Sequence, residues 1–150
     1  MPRVDLTLSP EYKLYILTTL FHVSANAENA TAIFDSGSAG SSITERLAEK
    51  LKVNLNNLQS RMVSGVTGIR KVRYISKMDV ILPNFIVITL PDVSVLENIH
   101  KEVTKKTNGI KVGKSVLEAS VPNILGLDFL IALKGTAVIK PSENLAYIEW

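Results

Sequence analysis

Apolar positions along this chain fall mostly in short runs that alternate with polar residues and are broken by turn formers, a pattern that predicts strands. Lys13 to Val23 is rich in β-branched and aromatic residues and reads as a strand. Ser24 to Asn29 reads as a loop, and Thr31 to Phe34 as a short buried strand. Arg61 to Ser76 predicts a hairpin with Gly65 and Gly68 near its tip. Met78 to Leu82 and Phe85 to Leu90 predict two strands that turn at Pro83-Asn84. Asn123 to Gly126 reads as another buried strand. Thr136 to Lys140 and Leu145 to Trp150 predict a final hairpin turning over Pro141 to Asn144.

Helical spacing is rarer. Ile43, Leu47 and Leu51 share one face of a helix, and Ser42 with Glu45 gives a capping box at its start. Val95, Ile99 and Val103 repeat that spacing, with Ser94 and Glu97 in capping-box register and Asn108-Gly109 as a stop. They predict a helix near 95–107 within a longer interruption of the β pattern from Pro91 to Ser120. Asp128 is expected to cap a short helix through Leu133, closed by Gly135. The expected fold class is mainly β with two or three short helices, in one domain spanning the 150 residues.

Composition narrows the function classes. An apolar fraction of 46% is that of a chain that folds around a core. The absence of cysteine removes disulfides, thiol catalysis and thiolate metal sites, and two histidines far apart argue against zinc. No apolar run reaches the length of a membrane span, and Asp5 and Glu11 interrupt the start where a secretory leader would lie, so the expected location is cytoplasmic. A net charge of +3 does not by itself argue for nucleic acid. Lys101, Lys105, Lys106, Lys111 and Lys114 gather the excess, as a solvated face or a basic contact surface.

The candidate chemistry lies at Asp35-Ser36-Gly37, directly after the apolar Ala32-Ile33-Phe34. A strand ending this way sets a carboxylate on a tight turn, although Asp-Ser-Gly is also an ordinary turn sequence. One carboxylate hydrolyses amides poorly. Two of them about 3 Å apart cannot both ionise, so one stays charged and can take a proton from water while the other donates. The triplet occurs once, so a second carboxylate would come from another copy of the chain.

Ala32-Ile33-Phe34-Asp35-Ser36-Gly37-Ser38 followed by Ser42-Ile43 resembles the active-site segment of retroviral-type (retropepsin-like) aspartic proteases. Ile124-Leu125-Gly126-Leu127-Asp128-Phe129-Leu130 resembles their second signature, in the form seen in the cellular branch with the DNA-damage-inducible proteases. Ser64-Gly65-Val66-Thr67-Gly68 stands where that family keeps its flap. The resemblance implies a closed β-barrel-like acid-protease fold and a homodimeric endopeptidase that needs no metal or cofactor. Asp35, one per subunit, would be catalytic, with Ser36 in the hydroxyl network between the acid loops and Gly37 lining the channel. Ser38, Ala39, Gly65, Val66, Thr67, Gly68 and Ile69 would contact an extended peptide or unfolded protein. Leu145, Ala146, Tyr147, Ile148 and Trp150 would build the dimer contact. The segment from Pro91 to Ser120 is longer than the family's compact form, the flap has fewer glycines, and Leu127 replaces an arginine. Two other readings stand beside the protease: a dimer of the same fold that binds peptide or a partner protein without cutting it, and an unrelated β domain that uses its lysines on nucleic acid.

Overall fold

The computed structural model describes residues 1–9, 14–65, 68–97, 99–107, 110–119 and 122–150; for residue 84 and residues 99–119 the description is of the backbone. Two short N-terminal strands, β1 (Arg3–Asp5) and β2 (Thr7–Leu8), and the longer β3 (Tyr15–Val23) lead into β4 (Asn26–Phe34) and β5 (Ser42–Thr44). The helix α1 (Glu45–Lys50) follows, then β6 (Gln59–Gly65), β7 (Gly68–Ile75), β8 (Met78–Leu82), β9 (Ile86–Leu90) and β10 (Val93–Leu96). The chain continues through β11 (Ile99–Thr107), β12 (Ile110–Ala119) and β13 (Asn123–Leu125), then α2 (Leu127–Leu133), β14 (Thr136–Lys140) and β15 (Leu145–Glu149).

Most strands join one curled sheet in the order β6-β7-β10-β5-β13-β4-β3-β8-β9, with β2 paired on β3. Alternation along the strands sends one set of side chains inward. Phe21, Leu17, Ile43, Met78, Leu90 and Leu125 are fully buried there, joined by Phe129 from α2 and Leu47 from α1. β5 is paired on both sides, parallel to β10 and antiparallel to β13. β1, β15 and β14 make a separate three-stranded sheet, and among the described residues β11 pairs only with β12. Among the described residues, β6 and β9 are the rims of the large sheet and no ladder joins them. The expected closed barrel is therefore met as a curled, open sheet. No described helix is long and apolar enough to cross a membrane.

Several expectations need correction. The helix expected near 95–107 is absent: β10 and β11 occupy that stretch, and the insertion is a β-ribbon. A spacing of four is also an even number, so Val95, Ile99 and Val103 equally fit one face of extended chain, and β-branched residues favour that state. The first helix begins later than expected because Ser42 and Ile43 are taken by sheet pairing; Thr44 caps it, accepting the Leu47 N–H at 3.1 Å. The loop expected at 24–29 shrinks to the Ser24-Ala25 turn, and β4 starts at Asn26. At the end of α2 the left-handed residue is Lys134, at φ 55°, not Gly135.

Candidate active site

Asp35 continues the ladder that ends β4. Phe34 lies opposite Leu125, and the Asp35 N–H donates to the Leu125 carbonyl at 3.0 Å. The chain then turns: the Ser38 N–H donates to the Asp35 carbonyl at 3.1 Å, and the Gly37 N–H donates to Asp35 Oδ1 at 2.9 Å. This Asx turn fixes the carboxylate against its own backbone. A Cβ at Gly37 would lie 3.1 Å from that same oxygen and would press on it. Asp35, Ser36 and Gly37 are all exposed.

The far side of the loop is clamped to the start of α2. The Leu127 N–H donates to the Ser38 carbonyl at 2.8 Å, and the Asp128 N–H to the Ala39 carbonyl at 3.1 Å. Ser41, buried with 1% exposure, donates its hydroxyl to Asp128 Oδ1 at 2.6 Å and its N–H to Oδ2 at 3.0 Å. The same hydroxyl oxygen accepts the Gly126 N–H at 3.0 Å. A Cβ at Gly126 would stand 2.5 Å from the Ser38 and Gly40 carbonyl oxygens, so only glycine lets the two segments meet. Asp128 also accepts the Phe129 N–H at 2.8 Å; Gly126, not Asp128, holds the N-cap position. The expected capping carboxylate thus serves mainly to bind Ser41.

Sheet register defines the face on which Asp35 stands. Ile33 is opposite Ile124, Ile124 opposite Ser42, Ser42 opposite Ser94, and Ser94 opposite Tyr74. Residues directly opposite point the same way, so these five form a row across four strand pairings. All are half-buried, whereas their neighbours Phe34, Leu125, Ile43, Val95 and Ile75 are buried in the core. The row therefore lies on the face away from the core. Alternation places Asp35, two residues beyond Ile33, on that same face. The row runs from apolar, at Ile33 and Ile124, to polar, at Ser42, Ser94 and Tyr74. Arg61 donates to the Ser94 hydroxyl at 3.3 Å and stacks 5.2 Å over the Tyr74 ring.

The sequence-predicted residues divide clearly. Asp35, Ser36 and Gly37 share one turn. Ser38 and Ala39 join it, but their carbonyls are occupied by α2 and the Ser38 hydroxyl donates to the Gly40 carbonyl at 2.7 Å. Gly65, Gly68 and Ile69 sit at the exposed end of the β6–β7 hairpin, with Ile69 72% and Met62 65% exposed; Val66 and Thr67 lie outside the described residues. That hairpin reaches β5 only through β10. Ala146 and Ile148 are buried in the chain's own core, and Trp150 packs partly against it, so they face inward. β15 is the middle strand of its sheet, with β1 on one edge and β14 on the other, so both its edges are already paired. Leu145 and Tyr147 remain half-exposed on the opposite face. Ser41 was not singled out by sequence; its one signal is a hydroxyl placed between the Asp-Ser-Gly turn and the following strand.

A scan against family models gives no match for the sequence, and neither does a search of curated proteins. Comparison with solved structures does: the fold is similar to that of a retropepsin-like aspartic protease from Rickettsia conorii, at 15% identity and a TM-score of 0.64, over 98% of this chain and 89% of that one. The chain therefore has a retropepsin-like fold.

Proposed function

We propose that the chain is an aspartic endopeptidase acting as a homodimer, each subunit giving one Asp35 to a shared site. The observation that carries this reading is an exposed carboxylate locked in an Asx turn, on the outward face of the sheet, by a loop clamped from behind. The other acid of this loop system, Asp128, is engaged with Ser41 and Phe129, which supports taking the second carboxylate from a partner. In the pair, the ionised Asp35 takes a proton from a water, whose oxygen attacks the peptide carbonyl. The protonated Asp35 donates a hydrogen bond to the carbonyl oxygen, and a proton then reaches the leaving nitrogen as the C–N bond breaks. The Gly65–Gly68 end of the β6–β7 hairpin would close over an extended peptide by strand addition. The Leu127-Asp128 pair after Gly126 favours the cellular branch of the family.

The test is cleavage of an unfolded protein from acid to neutral pH by wild type and Asp35→Asn, with the mass of each in solution. We expect both to be dimers and the variant to lose activity by about 10³-fold. A variant that cuts as fast as wild type overturns the mechanism. A wild-type dimer that binds peptide without cutting it supports the binding-module reading instead.

A further inference from the structure

The ribbon β11–β12 has a charge distribution that the fold does not require. Its strands run from Ile99 to Ala119 with Lys101, Lys105, Lys106, Lys111 and Lys114 against only Glu102 and Glu118. Five positive less two negative charges equal the +3 of the whole chain. Between Glu102 and Glu118 there is no acid at all, so the outer half of the ribbon carries Lys105, Lys106, Lys111 and Lys114 uncompensated in sequence. The register sets Lys106 directly opposite Lys111, just past a bulge at Lys105/Lys106. Like charges directly opposite each other destabilise a strand pair, and an anionic ligand would reverse the sign of that effect.

The ribbon is rooted between two strands that contribute to the outward row. It connects β10 to β13, which lie on the two sides of β5 and contribute Ser94 and Ile124 to the outward row. At its root is a cleft of about 150 Å³ lined in part by Arg70, Lys71, Arg73 and Leu96. Arg73 is held by Glu45 at 2.5 Å and Glu97 at 3.5 Å, while Arg70 and Lys71 are exposed. Arg70 and Lys71, two and three residues from Gly68 at the tip of the β6–β7 hairpin, thus add exposed positive charge to the rim of that cleft.

We infer that the β11–β12 ribbon, with Arg70 and Lys71 at its root, is a docking surface for an acidic segment of a polypeptide substrate. The inference rests on the endopeptidase reading for the word substrate, but not for the binding itself. Each strand of the ribbon has an edge outside the β11–β12 ladder, able to take extended chain by strand addition. Nucleic acid fits less well, because the chain as a whole carries a net charge of only +3.

The experiment uses the full chain carrying Asp35→Asn, so that no probe is cut, and a fluorescein-labelled peptide of alternating Glu and Gly. Anisotropy should report saturable binding that weakens with salt. Replacing Lys105, Lys106, Lys111 and Lys114 together by Gln should weaken it by about tenfold or more, and the matching Arg replacements should retain it. In the background with Asp35 intact, the Gln variant should cut a neutral peptide at the wild-type rate. Failure of that cleavage in wild type overturns the endopeptidase reading and leaves the binding result standing. Equal affinity of the Gln and parent proteins, no binding of the acidic peptide, or its displacement by duplex DNA at lower concentration overturns the docking surface.

Discussion

Ser41 and Asp128 form a two-point contact, hydroxyl to Oδ1 at 2.6 Å and N–H to Oδ2 at 3.0 Å, that ties the back of the acid loop to the first turn of α2. Removing the carboxylate would leave the Ser41 O–H and N–H, both buried, without acceptors, although the hydroxyl oxygen would still accept the Gly126 N–H. Each such group costs about 1–3 kcal/mol. Asp128→Ala should therefore lower stability by several times that of an ordinary surface change. Thermal unfolding should show a drop of about 2–4 °C per kcal/mol lost. Asp128→Asn keeps one acceptor and should fall between Ala and wild type. Equal melting temperatures for all three would remove the clamp from the account.

Gly126→Ala is the most severe single substitution we expect. The added carbon would meet two backbone oxygens at 2.5 Å, and neither can swing aside as a side chain could. The variant should be recovered poorly or melt many degrees lower, while Gly40→Ala, where a Cβ meets nothing within 4 Å, should be mild by comparison. Near-identical denaturation curves for the two would contradict the close approach.

Phe85 is 90% exposed and has φ 59°, the left-handed region that bulky residues avoid. That conformation costs an L-residue about 1–2 kcal/mol, and Gly escapes most of it. Phe85→Gly should raise stability by up to about 1 kcal/mol in urea unfolding. A loss of stability would mean that the ring makes a contact worth more than the strain.

The graded row from Ile33 and Ile124 to Ser42 and Ser94 predicts selectivity for side chains of the peptide. If the outward face binds substrate, Ser42→Val should raise kcat/KM for peptides with an apolar residue near that position, by about 10–200-fold at most for a methylene-scale gain. Ile124→Ser should act in the opposite direction. Unchanged preferences in both variants would place the peptide elsewhere.

Much of this arrangement was legible in sequence. Asp35-Ser36-Gly37 and Ile124-Leu125-Gly126 each follow an apolar run, and that pairing of a turn signal with buried strand carried the acid loop and its partner correctly. The β6–β7 and β14–β15 hairpins were legible because turn residues bracket their alternating strands. The stretch after Ser94 was not, since four-residue spacing satisfies both a helix and a strand and only pairing with β12 decides between them. Ser41 was hidden for another reason. Its role depends on a carboxylate 87 residues away, and no local pattern records such a contact.

That separation has a kinetic consequence. The turn presenting Asp35 has its own local bonds, but its anchoring to the sheet and to α2 comes from bonds with Leu125, Leu127 and Asp128, so it is not anchored until that segment has been made and has returned to β4 and β5. A chain still emerging would carry the acid on an unsupported loop. The geometry of the Asp35 turn is thereby completed only once the strand and helix start more than 85 residues downstream have paired with it.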